Sequence, residues 1–206
     1  QLPNYPEIFV ISNVKEDGKA IGATGGGTTF HSDMSYMPRP SMGSLFYCVK
    51  CPPIGGGTSF VSMFSAYDEL PQKQKEWITQ QKGVHDYAWH YENYLTHRTP
   101  LTDEQKTQLQ PSVHPAVRTH PVSGKQALYL SVGLTSHFDG ISFEESRPII
   151  EEITDFATQD KFIYTHQWRV GDLVMWDNRS TMHRAEPFDH EQHQRLMHRT
   201  TVHGDR

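Results

Sequence analysis

His31-Ser32-Asp33 places an imidazole and a carboxylate two residues apart. In an extended segment residues i and i+2 point the same way, so the pair can grip one ion. Alone, such a triplet is equally a surface pair or a hydrogen-bonded turn. The far end of the chain supplies a partner. After the turn Val170-Gly171-Asp172 comes the apolar run Leu173 to Trp176, then Asp177-Asn178-Arg179 and His183. The first and last strands of a jelly roll can be neighbours, so a histidine 152 residues downstream of His31 can complete the site. His31, Asp33 and His183 on one face leave three positions of an octahedral ion open, an arrangement that suits non-haem Fe(II) oxygen chemistry. Arg195 and Arg199 share a strand face, because an even offset preserves the side. Two guanidiniums facing one cavity suggest two anions.

These residues need rigid elements to carry them. Short β-branched or aromatic runs recur at 8–14, 44–49, 58–62, 84–89, 127–132, 162–166, 173–176 and 195–202 and read as strands. Helices are expected over 62–70 with a following segment to about Gln80, over 102–109, and over 143–158. Two of them start with a capping-box pattern, Thr102-Asp103-Glu104-Gln105 and Ser142-Phe143-Glu144-Glu145. Strands and helices do not alternate regularly, so the pattern predicts a mainly β fold with flanking helices, a jelly roll rather than a parallel α/β sheet. No internal repeat or low-complexity linker divides the chain, and Gly25-Gly26-Gly27 and Gly55-Gly56-Gly57 read as turns. A single domain over residues 1–206 is expected.

Composition narrows the function. Nineteen basic and 24 acidic residues leave a net charge of −5, so there is no basic excess to neutralise nucleic-acid phosphates. Mean hydropathy is −0.65, and no apolar run approaches the length of a membrane span. The N-terminus lacks the charge and apolar stretch of a signal peptide. Two cysteines cannot make a disulfide framework, which points to the cytoplasm. Cys48 and Cys51 form a C-x-x-C at the end of an expected strand, and strand alternation predicts their sulfurs on opposite faces, in a structural role. Thirteen histidines are scattered rather than tracted.

From about Ile8 to its end the chain resembles the TauD/TfdA family of Fe(II)/2-oxoglutarate-dependent oxygenases. The resemblance rests on ordered landmarks: Phe30-His31-Ser32-Asp33, Gly56-Gly57-Thr58, Ala66-Tyr67-Asp68-Glu69-Leu70-Pro71, His120-Pro121, Trp176-Asp177-Asn178-Arg179, His183 and Arg195-Leu196-Met197-His198-Arg199. It implies a double-stranded β-helix with flanking helices, with His31, Asp33 and His183 as iron ligands. It implies Arg195, assisted by the Thr58 hydroxyl, as the partner of the distal carboxylate of 2-oxoglutarate. Arg199 matches the residue that holds the substrate sulfonate in the taurine branch, and is expected to anchor an anionic primary substrate. Fe(II), 2-oxoglutarate and O2 are the implied cofactor and co-substrates, a small anionic molecule the implied substrate, and a homo-oligomer is expected.

The resemblance also implies differences within the family. Gly27 stands where the taurine branch has asparagine, which argues against taurine itself. Residues 170–179 lie nearer the phenoxyacetate branch and 195–204 nearer the taurine branch. The chain begins where members of the family have already passed an N-terminal segment. Asp33 argues against halogenation, since related halogenases replace the carboxylate with a small residue. Trp176 is expected to pack beside the metal site, as a core tryptophan would. Residues 84–98, with His85, His90, His97, Tyr87, Tyr91 and Tyr94, are expected in a mobile lid on the substrate side, with no single role assigned. Two rivals remain: a non-catalytic jelly-roll sensor of 2-oxoglutarate or another anion, and a zinc hydrolase using the same three ligands. The second lacks an obvious general base.

Overall fold

The computed structural model describes residues 1–2, 4–96 and 98–204. In chain order the elements begin with β1 (Phe9–Ser12), a small hairpin of β2 (Lys15–Glu16) and β3 (Lys19–Ala20), β4 (Gly43–Lys50) and β5 (Thr58–Ser62). Next come α1 (Met63–Glu69), α2 (Gln72–Ile78), β6 (Lys82–His85), α3 (Tyr87–Tyr94), α4 (Asp103–Gln108), β7 (Ser112–Pro115), β8 (Val117–Thr119), β9 (Gln126–Leu128) and β10 (Thr135–Phe138). The chain ends with α5 (Phe143–Ala157), β11 (Ile163–His166), β12 (Leu173–Asp177), β13 (Thr181–Ala185) and β14 (Leu196–Val202). The fold is mainly β with flanking helices.

Two sheets position the site. One runs β1-β14-β4-β12 and the other β11-β5-β13, all neighbours antiparallel. Phe46 and Cys48 of β4, Phe60 of β5, Trp176 of β12, Met197 of β14 and Trp168 fill the space between them. β5 is covered on both sides, because alternation sends Phe60 into that cluster and Val61 into a second one. The second core lies under α1 and α5, where Met63, Ala66, Ile150 and Ile153 meet Val61 and Met182. Hence β5 is buried at four of its five residues.

Most expected elements are present, with three differences. The strand expected over 84–89 stops at His85, because the Asp86 carboxylate caps Trp89 N–H at 2.9 Å and starts α3. Thus residues 87–94 are a helix rather than a loop. The strand expected over 127–132 is only β9, which ends at Leu128. At α4 the Thr102–Gln105 capping box is complete. At α5 the Ser142 hydroxyl accepts from Glu145 N–H, but the Glu145 carboxylate accepts a hydrogen bond from that hydroxyl rather than from the Ser142 backbone N–H.

Candidate active site

The sequence-distant histidines are joined backbone to backbone. His31 N–H donates to His183 O at 3.1 Å and His183 N–H to His31 O at 2.8 Å, an isolated antiparallel bridge on the outer edge of β13. Opposed residues of such a bridge put their side chains on one side, and the two imidazole centroids lie 4.3 Å apart. His31 Nδ1 is 2.8 Å from Thr29 O, which requires the proton on Nδ1 and leaves the Nε2 lone pair free. Asp33 follows on the same side, its Oδ1 3.8 Å from Nε2 of both His31 and His183. One donor atom from each residue falls within 4.8 Å of the others, a spacing that fits one divalent ion. Ser32 points the other way and donates to Thr181 O, as alternation requires.

Asp33 is buried, and each of its oxygens accepts a hydrogen bond. Its Oδ2 accepts from Ser44 Oγ at 2.7 Å and its Oδ1 from Arg199 Nη1 at 2.8 Å. Burial alone would raise its pKa, but the charges around it, Arg199 among them, and the Ser44 hydrogen bond hold it down to about 2. Behind it sits Asn178, wholly buried. The Asn178 Oδ1 accepts from Asp33 N–H and Trp176 Nε1, while its amide donates to Ser41 and Ser44. The turn carrying Asn178 is itself clamped, since Asp177 accepts from both Arg179 and His120. Trp176 combines both expectations: it belongs to the core and its ring lies 4.7 Å from that of His183.

Arg195 and Thr58 share a cavity with the three clustered residues. A cavity of about 360 Å³ is lined by His31, Asp33, His183, Thr58, Arg195 and Arg199 together. Arg195 is 7% exposed; its Nε donates to Gly56 O at 3.0 Å and its Nη2 is buried with no partner. Burial lowers its pKa to about 10, so it stays charged at neutral pH. Thr58 Oγ1 accepts from Trp168 Nε1, which leaves its own O–H to donate. A buried cation with no carboxylate partner among the described residues, with a hydroxyl in the same cavity, fits a carboxylate ligand. Arg199 lines the cavity as well, but it is not open-handed: it is ion-paired with Asp33.

Other expectations divide. Cys48 and Cys51 are free thiols, as expected, but they are not on opposite faces. The β4–β14 register skips Val49, so a bulge breaks the alternation, and Cys51 lies beyond the strand end. The two thiols meet; burial first and the Cys51 contact second push the Cys48 pKa up to about 12. Of residues 84–98, Tyr87, His90, Leu95 and Arg98 line the cavity. His85 instead meets His114 edge to face, lies tilted against Tyr129 and contacts Ser35, whereas Tyr91 and Tyr94 donate to Thr99 O and Val132 O. His97 lies outside the described residues. Gly27 has φ of +73°, and a Cβ there would lie 3.3 Å from His31 Cε1, so the backbone lies against the metal-facing ring where a side chain would intrude. Two further residues belong to the site without a signal in the sequence: Asn178 as a support, and Tyr36, which lines the cavity with its ring 4.6 Å from that of Tyr87.

A pH dependence of stability follows from the buried histidines. Burial pushes both His183 and His85 down to about 3, against about 6.5 in an unfolded chain. Between those values the unfolded chain binds protons that the folded chain does not, so stability falls as pH drops through this window. The slope is up to about 1.4 kcal/mol per pH unit for each histidine. The urea midpoint of the metal-free protein is expected to fall steadily from pH 7 to pH 5, and a flat midpoint would contradict the buried neutral state of both rings.

Two imidazoles and a carboxylate that could hold one ion, in one cavity with a buried arginine, match the donor set of metal-dependent oxygenases. The comparisons with known proteins agree. Residues 1–201 match the family model described as taurine catabolism dioxygenase TauD, TfdA family. The chain is 35% identical over 205 residues to the alpha-ketoglutarate-dependent 2,4-dichlorophenoxyacetate dioxygenase of Burkholderia sp. (strain RASC), covering 96% of this chain and 68% of that relative. Among solved structures, AAD-2 in complex with Mn(II) and N-oxalylglycine superposes with a TM-score of 0.82 at 38% identity, over 88% of this chain and 69% of that one. A taurine dioxygenase from Burkholderia xenovorans superposes with a TM-score of 0.79 at 28% identity, over 100% of this chain and 64% of that one. The chain belongs to the TauD/TfdA family and is a 2-oxoglutarate-dependent dioxygenase that uses Fe(II) and O2.

Proposed function

We propose that His31, Asp33 and His183 hold Fe(II), that Arg195 and Thr58 receive the distal carboxylate of 2-oxoglutarate, and that Arg199 anchors the anion of a small substrate. The substrate class this favours is an aryloxyalkanoate. The observation that carries the reading is the shared cavity, in which Arg195 Nη2 is buried without a partner among the described residues and His31, Asp33 and His183 offer donor atoms within 4.8 Å of one another. Bound Fe(II) supplies O2 activation, coupling oxidation of 2-oxoglutarate to succinate and CO2 with hydroxylation of a substrate C–H bond.

The chain's own residues do the positioning. In an aryloxyalkanoate the carbon to be hydroxylated adjoins the carboxylate, so its cation has to lie beside the metal ligands. Arg199, 2.8 Å from Asp33, meets that requirement. Tyr36, Tyr87, Leu95 and Leu134 give the cavity an apolar and aromatic wall for the remainder of such a substrate. Trp176 and Phe60 pack around His183 and exclude water from that side of the site.

The finer fold reading is a double-stranded β-helix in a single domain, supported by the two facing sheets in which β14 returns beside β1 and β13 beside β5. A cytoplasmic location is supported by the free thiols of Cys48 and Cys51. No helix among the described residues is long and apolar enough to cross a membrane.

The test is anaerobic addition of Fe(II) and 2-oxoglutarate, which is expected to produce the visible charge-transfer band of the chelate. Under O2, succinate formation is then screened against aryloxyalkanoates, sulfonates, alkyl sulfates and carboxylates, and aryloxyalkanoates are expected to stimulate it most. Succinate formed without any primary substrate separates a working enzyme from a non-catalytic sensor. No band, together with a His31→Ala variant that binds iron as the wild type does, sinks the assignment.

A further inference from the structure

Asp33 divides its two oxygens between different tasks. Oδ2 accepts the Ser44 hydroxyl at 2.7 Å. Oδ1 is the oxygen 3.8 Å from both Nε2 atoms, and it is this one that Arg199 Nη1 holds at 2.8 Å. The guanidinium therefore sits on the metal-facing oxygen. It is anchored from behind by strand pairing, Arg199 opposing Phe9 of β1 and Phe46 of β4, with the Phe9 ring 5.5 Å from its central carbon. Among the described residues its ion pair is with Asp33 and no other carboxylate, and its Nε is buried without a partner. A divalent ion between the three ligands and the Arg199 cation thus compete for a single carboxylate oxygen.

We propose that Arg199 couples substrate to metal. An anion that takes up the Arg199 guanidinium withdraws its hydrogen bond and positive charge from Asp33 Oδ1, and the metal is then held more tightly. This rests on the proposed reading of Arg199 as the substrate anchor and adds a thermodynamic link between two binding events. Linkage is reciprocal, so the metal must raise affinity for the anion by the same factor as the anion raises affinity for the metal. A purely structural Arg199, one that only holds Asp33 in place, gives the opposite sign, since its removal would loosen the ligand.

The experiment titrates Mn(II) into the protein with saturating 2-oxoglutarate, which occupies Arg195, and follows free Mn(II) by its paramagnetic resonance signal. The probe anion is 2,4-dichlorophenoxyacetate. The wild type is expected to bind Mn(II) about fivefold or more tightly with the anion present, and to bind the anion more tightly by the same factor with Mn(II) present. Arg199→Gln is expected to bind Mn(II) more tightly than the wild type without the anion, and not to respond to it. Equal Mn(II) affinity with and without the anion in the wild type overturns the coupling, even where the anion still stimulates succinate formation and the anchor reading stands. Weaker Mn(II) binding by a folded Arg199→Gln overturns it too. Should that variant not fold, the reciprocal titrations of the wild type decide alone. Asp33→Ala binding Mn(II) as the wild type does would remove the metal-site reading and the coupling with it.

Discussion

Asp33→Ala is expected to weaken Fe(II) or Mn(II) binding by more than about 100-fold and to abolish succinate formation. Removing a group that merely supports a metal ligand costs 10- to 100-fold, and Asp33 is the only acidic donor of the set. Electrostatics enlarges the loss. In the wild type the Asp33 carboxylate offsets the Arg199 guanidinium 2.8 Å away. Without it the site holds two neutral imidazoles beside an uncompensated cation, which repels a divalent ion. His31→Ala is expected to lose less, because it removes a neutral donor and keeps the Asp33–Arg199 pair. Arg199 stripped of its carboxylate also destabilises the fold, so far-UV circular dichroism and thermal melting need to accompany the titration. A folded Asp33→Ala protein within tenfold of wild-type affinity would show that the ion binds elsewhere.

The clustering of the three proposed metal donors was legible because their geometry is local or topological. An extended His-x-Asp faces one way whatever surrounds it, and the His31–His183 bridge needs only that early and late strands lie side by side. What supports them was not legible. Asn178 works through Asp33, Ser41 and Ser44, residues at sequence separations of 145, 137 and 134. No local pattern distinguishes a buried asparagine serving such partners from one capping a turn. Arg199 shows the same limit from another side. Strand parity put it in the cavity, yet parity says nothing about what it meets there, and its partner is 166 residues away. The strand carrying His183 was itself missed, since Thr181-Met182-His183-Arg184-Ala185 lacks the β-branched or aromatic run that marks its neighbours. β7 and β10 escaped for a similar reason, being four residues each and rich in Ser, Thr and His. Parity failed outright at Cys48 and Cys51, where one extra residue in β4 reverses the alternation on which the expectation rested.

Arg195→Met is expected to weaken 2-oxoglutarate binding by about 2–4 kcal/mol, roughly 30- to 1000-fold, the range for removing one partner of a desolvated charge pair. The side chain is held by its Nε–Gly56 O hydrogen bond and by packing on Phe46, 5.5 Å from its central carbon, so the guanidinium is positioned before any ligand arrives. Little ordering is left for binding to offset. Thr58 adds a single uncharged donor to the same carboxylate, and Thr58→Val is expected to lose about 1.5 kcal/mol, the low end for a hydrogen bond to a charged group, because it removes one such bond and leaves the Arg195 cation in place. The stability of the ligand-free protein should respond quite differently. Arg195→Met replaces a buried cation that has no counter-anion with an apolar chain of similar length, and gives up one hydrogen bond to Gly56. These effects oppose each other, so unfolding free energy is expected to stay within about 1–2 kcal/mol of the wild type. Anaerobic titration of the Fe(II) chelate band measures the first quantity and urea unfolding the second. A variant that loses both together would mean that Arg195 is a structural arginine whose counter-anion is not the co-substrate. One that keeps 2-oxoglutarate affinity would move the distal carboxylate to another cation of the cavity, Arg98 or Arg199.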